Sequence, residues 1–128
     1  MRKQYNLLPS DAGFDAWDVD RLIRLSADLP VVPVDLSEIA EIDSTYWYLG
    51  DGPVPTVRSI VDHVRLINDA DTSFPIILNV DGRVMDGMHR VARALVDGQS
   101  VIPSVRFTVE PEPDYRNCDP SSLPYDED

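Results

Sequence analysis

Lysine is almost missing from this chain of 128 residues, because Lys3 is the single one and it stands near the N-terminus. A P-loop lysine, a Schiff-base lysine and a polybasic membrane-binding patch are therefore excluded from the rest of the sequence. A phosphate group bound by this chain would have to be held by arginine, histidine, hydroxyl groups or backbone N–H groups.

Cysteine and histidine are also scarce. Cys118 is alone, so no internal disulfide can form, and the two histidines stand too far apart in the sequence for a zinc motif; no metal site is predicted. No apolar run approaches the length that spans a bilayer, and the N-terminal residues lack the apolar core of a signal peptide. We therefore expect a cytoplasmic protein with no membrane partner.

Positive charge is also in short supply: 23 acidic residues against 11 lysines and arginines give a formal net charge of -12. A chain of this sign repels nucleic acid, so no nucleic-acid partner is expected. The length suits one domain with a modest core. Half of the net charge lies in residues 110–128, which are also rich in proline.

The most informative stretch is residues 76–98, which read I-I-L-N-V-D-G-R-V-M-D-G-M-H-R-V-A-R-A-L-V-D-G. Asp81-Gly82 separates two short apolar runs and is the dipeptide of a tight hairpin turn. After Asp86, which we interpret as an N-cap, apolar residues recur with helical spacing, and Gly98 fits a left-handed C-terminal cap. The pattern therefore predicts a β-hairpin that leads directly into a helix.

The first turn of this helix is predicted to bind an anion, because a helix N-terminus offers unpaired N–H groups and a positive dipole end. Gly87 would permit close approach of the backbone, and His89 and Arg90 would add donors and charge. The candidate binding residues in this turn are Asp86, Gly87, Met88, His89 and Arg90. Met88 also belongs to the apolar stripe and so fits the core equally well.

The segment D-G-M-H-R-V-A-R-A resembles the phosphate-binding box of the ParB/sulfiredoxin superfamily, in which G-x-[HR]-R precedes alanines at a strand-to-helix turn. Residues 56–64 resemble the helix before the central hairpin of that superfamily, and residues 32–39 and 102–107 resemble its opening and closing strands. The resemblance, to the ParB-like N-terminal domain, covers residues 31–109. It implies a single α/β (α+β) domain: a small mixed sheet with helices packed against it.

Departures from the superfamily narrow the function. Met88 stands where sulfiredoxins have their catalytic cysteine, so the thiolate needed for their chemistry is missing. A ParB partition protein would continue into helix-turn-helix and dimerisation domains, and this chain stops about twenty residues after its last predicted strand. The resemblance therefore points to small stand-alone members, which include an ADP-dependent serine kinase with a D-G-H-H-R box.

A second helix is predicted from Thr56 onward, after Pro55. Thr56, Ser59 and His63 share one face of this helix, and the resemblance implies that the face is turned toward the phosphate. His63 and His89 would then flank one anion and donate hydrogen bonds to it when protonated. Each also has a structural interpretation: Thr56 as the N-cap, Ser59 as a solvent-facing residue, His63 as the partner of a carboxylate. The apolar stripe beside them, predicted to face the core, is Val57, Ile60, Val61, Val64 and Ile67.

We divide the chain into an N-terminal extension with one helix (1–30), the ParB-like domain (31–109) and an acidic, proline-rich arm (110–128). The arm is expected to lie on its own core or on a second copy, which would make a homodimer. Residues 43–55 hold three aromatic side chains among turn formers and are predicted to fold over the pocket.

The helix of the N-terminal extension is predicted within residues 15–28, capped by Asp15 or Asp18. Its core-facing residues are expected to be Val19, Leu22, Ile23 and Ser26.

Catalysis would need a carboxylate as base or metal ligand. Glu38, Glu41 and Asp43 follow the opening strand, the region from which the resemblance implies that the kinase branch draws its catalytic glutamate, and each fits a solvated acidic turn equally well. Asp86 is either the N-cap or a ligand of Mg²⁺, which a bound nucleotide would bring as cofactor. Two functions stay open: a small phosphotransferase or nucleotide hydrolase, and a non-catalytic module that senses a nucleotide or binds a phosphorylated partner.

Overall fold

The computed structural model describes residues 3–50 and 52–125, so the ends of the predicted extension and arm and residue 51 of the predicted loop lie outside the described residues. The described strands are β1 (Tyr5–Ser10), β2 (Gly13–Asp18), β3 (Val32–Asp35), β4 (Ile76–Leu78), β5 (Val84–Asp86), β6 (Val101–Arg106) and β7 (Tyr115–Cys118). The α-helices of the described residues are α1 (Val19–Ser26), α2 (Val57–Asp69) and α3 (Met88–Val96).

The central sheet has the order β3-β6-β4-β5, with β4 parallel to β6 and the other neighbours antiparallel. The predicted α+β class, a small mixed sheet with helices packed against it, is confirmed. One face of the sheet packs against α3 through residues such as Ile76, Val91 and Ile102, all fully buried. The α3 helix is thereby held at a fixed position above the β4–β5 hairpin.

The predicted hairpin-to-helix unit is present. Gly82 has φ 83° in the turn, and the Asn79 side-chain oxygen accepts hydrogen bonds from the backbone N–H groups of Asp81 and Arg83, each at 2.9 Å. At the other end of the unit, Gly98 has φ 72° and donates its N–H to the carbonyl of Leu95, as a left-handed C-terminal cap requires.

The cap of α3 differs from the prediction. Asp86 is the last residue of β5, and Gly87 is the N-cap, with φ 107° and no side-chain hydrogen bond. Asp86 is not an N-cap because its side chain points to Arg90, with 2.9 Å between the carboxylate oxygen and the guanidinium nitrogen. The first turn of α3 therefore has no side chain capping it.

A second sheet, β1-β2-β7, joins the two ends of the described chain. The β1–β2 hairpin was not predicted, and β7 adds the C-terminal arm to it as a third, antiparallel strand. The arm thus lies on its own chain, fixed also by Trp17, whose Nε1 donates to the carbonyl of Pro111 at 2.8 Å. Buried Trp17 packs with Ile77 and Val105, so this sheet covers the other face of the central one.

Asp18, one of the two predicted N-caps, is the N-cap of α1, and its carboxylate accepts a hydrogen bond from the N–H of Asp20 at 2.9 Å. Asp15 lies in β2 instead. Leu22 is fully buried as predicted, but Ile23 is half exposed, so its assignment to the core face was wrong.

Helix α2 begins at Val57 with Thr56 as N-cap, as predicted, but none of its residues is buried. Its predicted core stripe is wrong except at Ile67: the side turned toward the protein carries Ser59, His63 and Ile67, which recur every four residues and are the half-buried positions of the helix. The helix packs mainly on α3. None of the described helices is long and apolar enough to cross a membrane.

Candidate functional site

The two histidines meet although 26 positions separate them. His63 reaches inward from the middle of α2, and His89 stands in the first turn of α3; Nδ1 of His63 lies 2.8 Å from Nε2 of His89. One ring donates a hydrogen bond to the other, and the rings are nearly parallel, with an interplanar angle of 22°. The pair forms because α2 and α3 lie side by side and each presents one imidazole at the same level.

Trp47 covers this pair. Its indole stacks on the ring of His63 at a centroid distance of 4.2 Å and on that of His89 at 4.8 Å. The loop that carries Trp47 is tied to α2 by a hydrogen bond of 2.9 Å between the Tyr48 and Ser59 hydroxyl groups. The prediction did not name Trp47, although the run of three aromatics among turn formers was its signal.

Both imidazoles are held neutral. Burial lowers the pKa of His89 to about 4, with a smaller contribution from His63 beside it. Burial also lowers the pKa of His63, against the opposing charge of Asp62. Both shifts favour the neutral form of the pair, in which one nitrogen of each ring is hydrogen-bonded to the other ring.

The N-terminus of α3 opens into a cavity of about 460 Å³. Its wall includes the turn residues Gly87, Met88 and His89, the aromatic side chains of Tyr46 and Trp47, and part of β1. Lys3 also lines it, with its ammonium nitrogen 2.8 Å from a carboxylate oxygen of Asp18. An anion at the helix end would meet backbone N–H groups in a partly enclosed space.

A second, more apolar cavity of about 800 Å³ adjoins the first, and the two share the wall formed by Tyr5, Tyr46 and Trp47. Its further lining includes Phe14 and Pro53. The two cavities together combine a helix end with aromatic surfaces.

Gly87 is required by packing as well as by its backbone angle. A Cβ atom at this position would lie 2.7 Å from Cγ2 of Ile76 and 2.9 Å from a guanidinium nitrogen of Arg90. The glycine thus lets the start of α3 rest on β4. Close approach of a ligand is not needed to explain it.

Arg90 is engaged inside the protein and its side chain is only 18% exposed. One guanidinium nitrogen donates to the carboxylate of Asp86 at 2.9 Å, and the other donates to the carbonyl oxygens of Phe74 and Pro75 at 3.2 and 2.8 Å. Burial raises the pKa of Asp86, and Arg90 opposes that rise. In this arrangement Arg90 joins α3 to the segment before β4.

The three carboxylates predicted as catalytic candidates differ in burial and in their partners. Glu41 is buried and accepts a hydrogen bond of 2.6 Å from the backbone N–H of Val84, while Glu38 and Asp43 are exposed. Through this hydrogen bond Glu41 anchors the turn after β3 to the start of β5. Burial, together with the charges of Glu41 and Asp86, raises the pKa of Tyr46 to about 12.

The remaining predicted residues also have structural partners. The Thr56 hydroxyl accepts from the N–H of Ser59 at 3.1 Å, as an N-cap does, and Met88 is buried in the core. Across residues 3–50 and 52–125, no three histidine, cysteine, aspartate or glutamate side chains are grouped so as to hold a metal ion.

Comparison with family models, with curated proteins and with solved structures finds no match for this chain. The resemblance to the ParB/sulfiredoxin superfamily therefore stays a prediction that rests on the box and its flanking segments.

Proposed function

We propose that this protein binds a small phosphorylated ligand, and that a nucleotide of low charge fits best. The phosphate would lie at the N-terminus of α3 and the aromatic base in the adjoining cavity beside Trp47 and Tyr46. The observation that carries this proposal is the shared wall: an uncapped helix end opens into one cavity, and an aromatic-lined cavity adjoins it.

Electrostatics favours one phosphate over three. The donors available at the site are backbone N–H groups and a neutral imidazole pair, Arg90 is already paired, and Lys3 is shared with Asp18. A formal net charge of -12 adds long-range repulsion against a highly charged anion. We therefore expect nucleoside monophosphates to bind more tightly than triphosphates.

Binding without chemistry is the stronger proposal. Among the described residues that line the smaller cavity, Asp86 is the only carboxylate, and it is paired with Arg90. A phosphotransferase or nucleotide hydrolase would require that ion pair to open so that Asp86 could hold Mg²⁺. That alternative draws its support from the resemblance to the kinase branch. A cytoplasmic location, where nucleotides are abundant, belongs to the same proposal.

The test is a thermal-shift and calorimetry panel of nucleosides and their mono-, di- and triphosphates, with and without Mg²⁺. A ligand at a hundred times its dissociation constant stabilises the fold by roughly 2.7 kcal/mol, which for a chain of this size raises the melting temperature by on the order of 10 °C. We expect the monophosphate to give the larger shift, and the unphosphorylated nucleoside a small one. No shift with any phosphorylated member of the panel would overturn the proposal.

A matched pair of variants locates the phosphate. His89→Asp and His89→Asn replace the same ring with side chains of nearly equal size, but only the aspartate places a negative charge in the first turn of α3. A carboxylate there interacts favourably with the helix dipole, which offsets part of its desolvation cost, and it repels a bound anion. We expect His89→Asp to abolish binding and His89→Asn to retain it. Equal affinities in the two variants would move the phosphate away from the helix end.

A further inference from the structure

The outer face of α2 is an apolar surface that the chain itself leaves open. Val57, Ile60, Val61 and Val64 follow helical spacing along it, and they are 80%, 48%, 40% and 45% exposed. A helix of 13 residues with no buried side chain lacks the packing from which helices in proteins draw most of their stability. We call these four residues the α2 stripe.

The charges beside the α2 stripe are arranged so that the helix complements itself. Arg58, Asp62, Arg65 and Asp69 fall along one edge of the stripe, within about 60° of one another at roughly 100° per residue. In an antiparallel pair with a twofold axis between residues 63 and 64, Arg58 lies level with the partner's Asp69. In the same register Asp62 lies level with the partner's Arg65.

The four charged side chains are not joined in ion pairs within the described part of their own chain. None of them forms an ion pair or a side-chain hydrogen bond there, although Arg58 and Asp62 have a suitable spacing. The same spacing does produce a pair in α3, where Arg93 and Asp97 lie 3.0 Å apart. The side chains along α2 are thus free to pair with a second copy.

We propose that two copies of this chain associate through the α2 stripe, antiparallel and about a twofold axis. Such an interface is isologous, which means that the same patch of both protomers must be complementary to itself. The charges of alternating sign along α2 meet this requirement. Val61 and Val64 then lie close to the axis. Because α2 carries His63, association also fixes the helix that completes the histidine pair.

Charge reversal gives a sharp test by sedimentation equilibrium across a range of concentrations. Asp62→Arg places a guanidinium group opposite the partner's Arg65, and Arg65→Asp places a carboxylate opposite the partner's Asp62, so each variant alone meets like charge at two symmetric positions. We expect each to weaken self-association about tenfold or more. In a heterodimer of the two variants, the unchanged Arg65 of one chain faces the unchanged Asp62 of the other, and the two reversed side chains also carry opposite charges. We therefore expect an equimolar mixture of the variants to form heterodimers.

Matched controls are Asp28→Arg and Arg24→Asp, which make the same charge changes at exposed positions away from α2. We expect both to associate as the parent chain does. A parent chain that stays monomeric at high concentration overturns the proposal and leaves the α2 stripe to a different protein. Single variants that still dimerise, or a mixture that does not, overturn it as well, because the interface would then lie elsewhere.

Discussion

Protonation of the stacked histidine pair should make the fold sensitive to mild acid. His89 titrates with a pKa of about 4 in the folded chain, against an ordinary value of 6.5. A lowered histidine pKa means that the unfolded chain binds the proton more readily, so the stabilisation is present above the unfolded pKa and is lost as pH falls through the folded one. The window therefore runs from about pH 6.5 down to about pH 4.

The size of the effect follows from the two pKa values. Lowering a pKa from 6.5 to about 4 corresponds to at most roughly 3 kcal/mol over the whole window. Because the ring is only about half buried, solvent screening reduces this figure, and we expect a loss of about 1–2 kcal/mol between about pH 7 and about pH 5. The lowered pKa of His63 acts in the same direction. Against a typical stability of about 5–15 kcal/mol this loss is readily measured.

The assay is the free energy of unfolding by urea at several pH values, for the parent chain and for His89→Gln. The glutamine variant does not titrate at this position, so its stability should fall less over the window. Carboxylates with lowered pKa values, those of Asp18, Asp71 and Asp119, lose their contributions at lower pH and are common to both proteins. Parallel pH profiles for parent and variant would refute the buried neutral pair.

Three substitutions test the framework around the site by urea unfolding. Trp47→Ala should cost about 2–3 kcal/mol because it removes two ring stacks, and Trp47→Phe should cost clearly less; equal costs would mean that the stacks contribute little. Glu41→Ala should cost about 1–3 kcal/mol because a buried N–H of β5 loses its acceptor, and an unchanged stability would argue that the carboxylate is held for another purpose. Gly87→Ala should cost distinctly more than Gly98→Ala, since both positions have positive φ but only the first meets a close neighbour; similar losses would contradict the packing argument.

The hairpin and the helix after it could be predicted because their determinants are local. Asp81-Gly82 sets the turn, and Gly98 ends the helix, whatever the rest of the chain does. The Thr56 cap is local in the same sense. By contrast, β2 pairs with a strand about a hundred positions away, and no turn chemistry predicts such a partner.

The α2 stripe shows where periodicity stops being informative. The spacing of its residues correctly indicates an amphipathic helix, but the spacing does not show whether the apolar side packs against the same chain or against another molecule. The inward side of α2 is instead the polar one with Ser59 and His63, held by Tyr48 and Trp47. The sequence analysis named Ser59 and His63, which lie on the inward side of α2, but it assigned to the core apolar residues that face outward.

Most of the D-G-M-H-R box has structural roles that the sequence pattern does not reveal. Gly87 and Arg90 hold α3 against β4 and the segment before it, and Asp86 balances the arginine. Met88 is core. What remains for an anion is the row of backbone N–H groups at the helix end and the ring of His89. A site built from these groups depends on the helix dipole more than on side-chain charge, and for that reason a single carboxylate at position 89 should be enough to close it.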